Sequence, residues 1–167
     1  HGLIQDQSLY TQCKTVDLAQ IDPEIIHRSV TIKNNVIMQD PTEQHLRKIL
    51  NFGHTIGHAI EGYSLYNDER SLLHGEAIGI GMICEAWLSQ KYCGLSEAEL
   101  ADITATFLKL YPRYTYSAFL DLMKNDKKNE SNKIGFALIS AIGHCEFNIF
   151  VSEEDIELAL DYYLSLS

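Results

Sequence analysis

Residues Arg47 to Gly62 read RKILNFGHTIGHAIEG, and the reading of this stretch decides the fold. Arg47, Asn51, His54 and His58 are separated by four, three and four residues, the spacing of one stripe on an α-helix. Such a stripe ordinarily carries leucines. Here it carries four polar groups beside the apolar Ile49, Leu50, Phe52, Ile56 and Ile60. Upstream, Asp40-Pro41-Thr42-Glu43 has an acid at the N-cap, Pro at N1 and Glu at N3, close to a capping box. The pattern therefore predicts one helix from about Asp40 to Glu61 whose polar stripe faces a cleft. A buried polar group without a partner costs on the order of 1–3 kcal/mol, so four together point to a ligand site. Gly53 and Gly57 lie four apart, where missing side chains admit a close neighbour, either a helix or a ligand, at some cost in helix propensity.

Downstream, LLHGEAIGIGM opens a long apolar helix expected from about His74 to Tyr92 and ended by Gly94. Spacing alone pairs His54 with His58, one helical turn apart, as metal ligands. A lone helical histidine is more often a partly buried or surface residue, but His74 offers a further imidazole from a second element, and neutral imidazoles are ordinary zinc ligands. Gly75, Gly79 and Gly81 imitate a nucleotide-binding loop. No strand precedes them, so they are read as close helix packing.

Elsewhere, residues 1 to about 20 are expected to be helical, and Pro23 opens a helix running to about Asn34. Gly62 to Arg70 reads as a polar loop. Ser96 and Glu99 form a capping box for a helix to about Lys109, and Ala118 to Lys124 suggests a short helix before a polar loop, Asn125 to Lys133. IGFALIS and CEFNIFV read as the two strands of a hairpin, and Ser152 caps a final helix. The expected fold is mainly α with a small β-hairpin, one domain spanning residues 1–167.

A net charge of −10 argues against nucleic acid or an anionic membrane as the main partner, since both require basic surface. A small anionic substrate is compatible if Arg28, Lys33, Arg47, Lys127 and Lys128 gather locally. Cys13, Cys84, Cys93 and Cys145 contain no C-x-x-C pair, consistent with reduced thiols in a cytoplasmic protein. No stretch approaches the ~18 apolar residues of a membrane span. The chain starts His1-Gly2-Leu3-Ile4 without Met, and is expected to be a piece of a longer protein.

LRKILNFGHTIGHAIE followed by LLHGEAIGIGM resembles the signature of the 3-dehydroquinate synthases, within the wider group of sugar-phosphate cyclases and metal-dependent polyol dehydrogenases. SVTIKNNVIMQD upstream, with Lys33 fourteen residues before Arg47, and NDKKNESNKIGFALISAIG downstream extend the resemblance over essentially the whole chain. It implies the helical C-terminal domain of a two-domain enzyme of the shikimate pathway, its NAD-binding α/β domain lying N-terminal to residue 1. It implies that His54 and His74 hold zinc or cobalt, in place of the His54–His58 pair that spacing suggests, with a glutamate ahead of residue 1 as third ligand. Lys33, Arg47, Asn51 and His58 are implied as catalytic residues, and Glu43 with Lys127 or Lys128 as further contacts to a phosphorylated sugar acid. Pro41 and His45 depart from the family pattern, which usually has Glu and Gly there. The implied reaction cyclises 3-deoxy-D-arabino-heptulosonate 7-phosphate with loss of phosphate, in a homodimer. The alternatives are a sister cyclase, a polyol dehydrogenase or, from a different class, a helical interaction domain whose histidines are structural; the fragment alone is expected to be inactive.

Overall fold

The computed structural model describes residues 1–17, 19–111, 113–114 and 133–166. Its organising element is α5, His74–Cys93, against which the helices His54–Asn67, Glu97–Leu110 and Glu153–Ser165 and the strand Lys133–Ala141 pack. The run AIGIGMICEAWLS has apolar or small residues on nearly every side, so the helix can be covered all round. Ala77, Ile80, Ile83, Cys84, Ala86 and Leu88 are all buried. Glu76 Oε2 accepts the Leu73 N–H at 2.8 Å at its start, and Gly94 ends it in a left-handed conformation, φ 78°.

Three helices precede this core: α1 (Gly2–Gln5), α2 (Gln7–Cys13) and α3 (Pro23–Gln39). The last begins at the expected proline, with Asp22 capping it through the Glu24 N–H, and runs five residues past Asn34. α6 (Glu97–Leu110) has the predicted capping box, Ser96 Oγ accepting the Glu99 N–H. Ser152 likewise caps α7 (Glu153–Ser165) through the Asp155 N–H.

The predicted hairpin is present as β1 (Lys133–Ala141) and β2 (His144–Ser152), paired antiparallel through a tight turn with Gly143 at φ 92°. The middle of strand β1, residues 136–139, is buried on both faces. Phe136 and Leu138 join the cluster around α5 and α7, whereas Ala137 and Ile139 join a second cluster with Leu3, Ile49 and Phe52. Alternation along one strand thereby divides the core in two.

Two expectations are corrected. Residues 40–61 are not one helix. The buried Asp40 carboxylate accepts the N–H groups of Gln44, His45 and Arg47 at 3.0, 2.7 and 3.0 Å, and Glu43 sits at φ 57°, so the chain turns where an α-helix was expected. A 3-10 helix follows, Leu46–Asn51, then extended Phe52 and left-handed Gly53 at φ 83°. Only then does α4 begin, His54–Asn67. The second correction is the loop expected at Gly62 to Arg70. Helix α4 continues through Gly62 to Asn67, and Ser64 secures its end by donating to Asp68 at 2.7 Å and accepting the Leu72 N–H at 2.8 Å. The short helix expected at Ala118 to Lys124 lies outside the described residues.

Candidate metal and substrate site

The break at Phe52–Gly53 has a constructive result. It puts His54 at the first position of α4 and His58 one turn later, while His74 starts α5. The three rings converge, with centroids 5.3 Å apart for His54–His58 and 5.7 Å for each of the other pairs. One ring nitrogen from each lies within 4.8 Å of the others. The two helices come this close because glycines face each other: a Cβ on Gly81 would lie 2.7 Å from the Gly57 backbone nitrogen and 2.9 Å from Gly57 Cα. Close packing is thus what Gly79 and Gly81 provide, as expected, whereas Gly75 would meet only Tyr111 Oη at an ordinary 3.7 Å; the neighbour that Gly57 admits is a helix.

Tautomers follow from the partners. His54 Nδ1 lies 3.2 Å from the Phe52 carbonyl oxygen and His74 Nδ1 lies 3.1 Å from Glu61 Oε2. Both partners are acceptors, so each Nδ1 carries the proton and Nε2 keeps its lone pair for a ligand. Burial holds the His54 pKa below its ordinary value, and the neighbouring His58 and His74 act in the same direction. A neutral imidazole is the form that binds a divalent cation. Glu61 orients His74 as carboxylates commonly orient metal-binding histidines. The donor set fits a metal of the zinc or cobalt type.

Beside the imidazoles lies a cavity of about 580 Å³ whose wall includes Lys33, Glu43, Arg47, Asn51 and His54. Glu43 organises it: Oε1 accepts from Asn51 Nδ2 at 2.8 Å, and Oε2 lies 3.5 Å from Arg47 Nε. Arg47 also donates to the Pro41 carbonyl at 2.9 Å. Two cations against one carboxylate leave an excess of positive charge in a chain that is acidic overall. A second cavity of about 430 Å³ shares Glu43, Asn51 and His54 and adds His58 and Lys48. The structure thus brings together Lys33 from α3, Glu43 from the turn after it, Arg47 and Asn51 from the 3-10 helix, His54 and His58 from α4 and His74 from α5, and the four groups expected on one stripe are divided between two elements. Lys127 and Lys128 lie outside the described residues.

Sequence reading passed over two carboxylates. Glu61 follows His58 by three residues, on the same face of α4. Glu85 is the sole charge between Ala77 and Gln90; it is completely buried, and burial pushes its pKa up to about 8 against the N–H groups that pull it down. A solitary acid inside so apolar a helix is itself a signal, since an unpartnered one would be strongly disfavoured.

The fold is that of the sugar-phosphate cyclases. It matches 2-epi-5-epi-valiolone synthase from Streptomyces hygroscopicus subsp. jinggangensis 5008, solved with NAD+ and Zn2+ bound, with a TM-score of 0.70 at 23% identity, over 99% of this chain and 49% of that one. It also matches a 2-deoxy-scyllo-inosose synthase complexed with carbaglucose-6-phosphate, NAD+ and Co2+, with a TM-score of 0.67 at 23% identity, over 83% of this chain and 40% of the other. Within that fold the chain belongs to the 3-dehydroquinate synthase C-terminal family, whose model matches residues 1–129. It is 36% identical over 172 aligned positions to 3-dehydroquinate synthase from Parabacteroides distasonis, covering 98% of this chain and 48% of that protein. The chain spans about half the length of the curated relatives it matches.

Proposed function

We propose that residues 1–167 are the metal- and substrate-binding domain of a 3-dehydroquinate synthase, completed by an N-terminal NAD-binding α/β domain. The reaction converts 3-deoxy-D-arabino-heptulosonate 7-phosphate to 3-dehydroquinate and inorganic phosphate, with no net redox change. The observation that carries this reading is the convergence of His54, His58 and His74 beside a cavity lined by Lys33 and Arg47, in a chain of this family. A phosphorylated sugar acid has two anionic ends, and the polar groups of the cavity suit them.

His54 and His74 would hold the metal, zinc or cobalt, together with a glutamate outside residues 1–167. When bound, the metal supplies Lewis acidity at a substrate hydroxyl, and NAD accepts and returns a hydride. This chain's own residues do the rest. Arg47, whose Nε is directed by Glu43, presents its guanidinium edge to a carboxylate or phosphate, while Lys33 adds a mobile charge. Glu43 fixes the Asn51 amide as a donor and keeps acceptor capacity for a hydroxyl. His58 is exposed and within reach of the other two rings, placed to hold or pass a proton near the leaving phosphate. Lys127 or Lys128 is assigned to the same anion. A homodimer and a cytoplasmic location belong to the same reading; no helix among the described residues is long and apolar enough to cross a membrane.

The test is phosphate release from 3-deoxy-D-arabino-heptulosonate 7-phosphate by the full parent chain with NAD and zinc, beside its His74→Ala variant. Release that vanishes in the variant supports the synthase and its metal site. Failure of an intact, metal-loaded parent to release phosphate overturns the assignment in favour of a sister cyclase or a polyol dehydrogenase, the latter releasing NADH.

A further inference from the structure

Helix α4 starts without a cap of its own. Its N-cap position is Gly53, which has no side chain to offer, and the last residue before it, Phe52, is apolar. The first N–H groups of a helix nevertheless need acceptors when buried. Here they are met from another helix. Glu85, on α5, accepts the Gly53 N–H at 2.6 Å through Oε2 and the Ile56 N–H at 3.1 Å through Oε1. These bonds span 32 and 29 residues of sequence, and Glu85 is 0% exposed.

We propose that Glu85 is a positioning residue for the metal site: its carboxylate caps α4 in trans and thereby fixes the turn from which His54 projects. The inference rests on the reading of His54 as a metal ligand. Its geometric content is that His54 lies between the two amides Glu85 holds. With both ends of the turn tied to one rigid carboxylate, the His54 ring is held against the Phe52 carbonyl and towards His58 and His74. The carboxylate's own backbone is anchored on its other side. Ser89 Oγ donates to the Glu85 carbonyl at 2.6 Å and accepts the Ile139 N–H of β1 at 3.0 Å. One buried segment of α5 thus connects the histidine turn to the hairpin.

The experiment uses the full parent chain loaded with Co2+, whose absorption spectrum reports ligand geometry, and a chelator competition that reads metal affinity. His54→Ala is expected to abolish the Co2+ spectrum; if it does not, the metal-ligand reading fails and the proposal falls with it, an outcome distinct from an unchanged E85Q in a chain whose spectrum does need His54. Glu85→Gln keeps the size of the side chain but turns an N–H₂ towards one of the two amides. Metal affinity in E85Q is expected to fall by roughly 10- to 100-fold with an altered Co2+ spectrum. Gly94→Ala, at the open left-handed C-terminal end of α5, is expected to lower stability and leave affinity and spectrum unchanged. An E85Q chain that folds and binds Co2+ as the wild type does would overturn the proposal. Should E85Q not fold, hydrogen exchange on the wild-type parent decides: the Gly53 and Ile56 amides are expected to be as protected as the α5 core, and rapid exchange there overturns the cap.

Discussion

A Cβ placed on Gly81 would stand 2.0 Å from the carbonyl oxygen of Gly53 and 2.7 Å from the backbone nitrogen of Gly57. Both obstacles are backbone, so no side-chain rotation relieves them. Gly81→Ala is therefore predicted to force α4 and α5 apart, at a cost near the upper end of the ~1–3 kcal/mol typical of overpacking. Because His54 and His74 ride on those two helices, metal affinity should fall as well. Gly94→Ala provides the contrast. Its site is open but left-handed, φ +78°, so a loss of roughly 1–2 kcal/mol with unchanged metal affinity is expected. Urea denaturation and chelator competition on the same samples check both.

What could be read from the residues was what is locally determined. The start of α6 lies in Ser96 and Glu99, the end of α5 in Gly94, and the hairpin in two apolar runs around Gly143. The break before α4 could not be read this way, because LNFGH satisfies helical spacing as it stands. What decides it lies far along the chain: the Glu85 carboxylate and the glycine contact at Gly81. Asp40 misled for a related reason. An acid before Pro41 looks like a helix cap, and the same carboxylate instead gathers three amides of a turn. The candidate site was legible in its residue types and through the family motif. Its construction from three separate helices, a turn and a 3-10 helix, with Glu61 behind His74, was not.

Glu61 gives the next prediction. It orients His74 by accepting from Nδ1, so Glu61→Gln should lower metal affinity by about tenfold or somewhat more. Both partners are substantially exposed, and fold stability should scarcely change. Loss of affinity without a shift in the urea midpoint is the expected signature. Equal affinity in the variant would show that the Phe52, His58 and backbone contacts are enough to set the cluster.

Asp40 separates substrate binding from metal binding. Its carboxylate shapes the turn that carries Glu43 and Arg47, and those amide bonds hold its pKa below the ordinary carboxylate value although desolvation opposes them. Asp40→Ala frees three N–H groups and loosens the residues that face the larger cavity. In the full parent chain it is predicted to raise KM for the substrate proposed above more than it lowers kcat. The Co2+ spectrum should stay as in the wild type, because His54 and His74 are held from α4 and α5.

Asp155 carries a pH prediction. Near the start of α7 it takes hydrogen bonds from Lys91, Tyr92 and the Ser152 hydroxyl, and it is 8% exposed. The bond from Lys91, followed by that from Tyr92, holds its pKa below the ordinary carboxylate value of 3.8, and Lys91 is raised in turn, chiefly by the same bond. In the folded chain the group therefore binds its proton less readily than in the unfolded chain. Between the two pKa values the unfolded state takes up more protons, so stability rises with pH there. The contribution is fully present above 3.8 and is lost as pH falls through the depressed value. Asp155→Asn removes this dependence while keeping an acceptor for Ser152. Urea midpoints measured from about pH 6 down to about pH 2 should fall less steeply in the variant than in the wild type, and the two curves should draw together at the acid end. Parallel curves over the whole range would mean that other carboxylates, not this one, govern the acid limb.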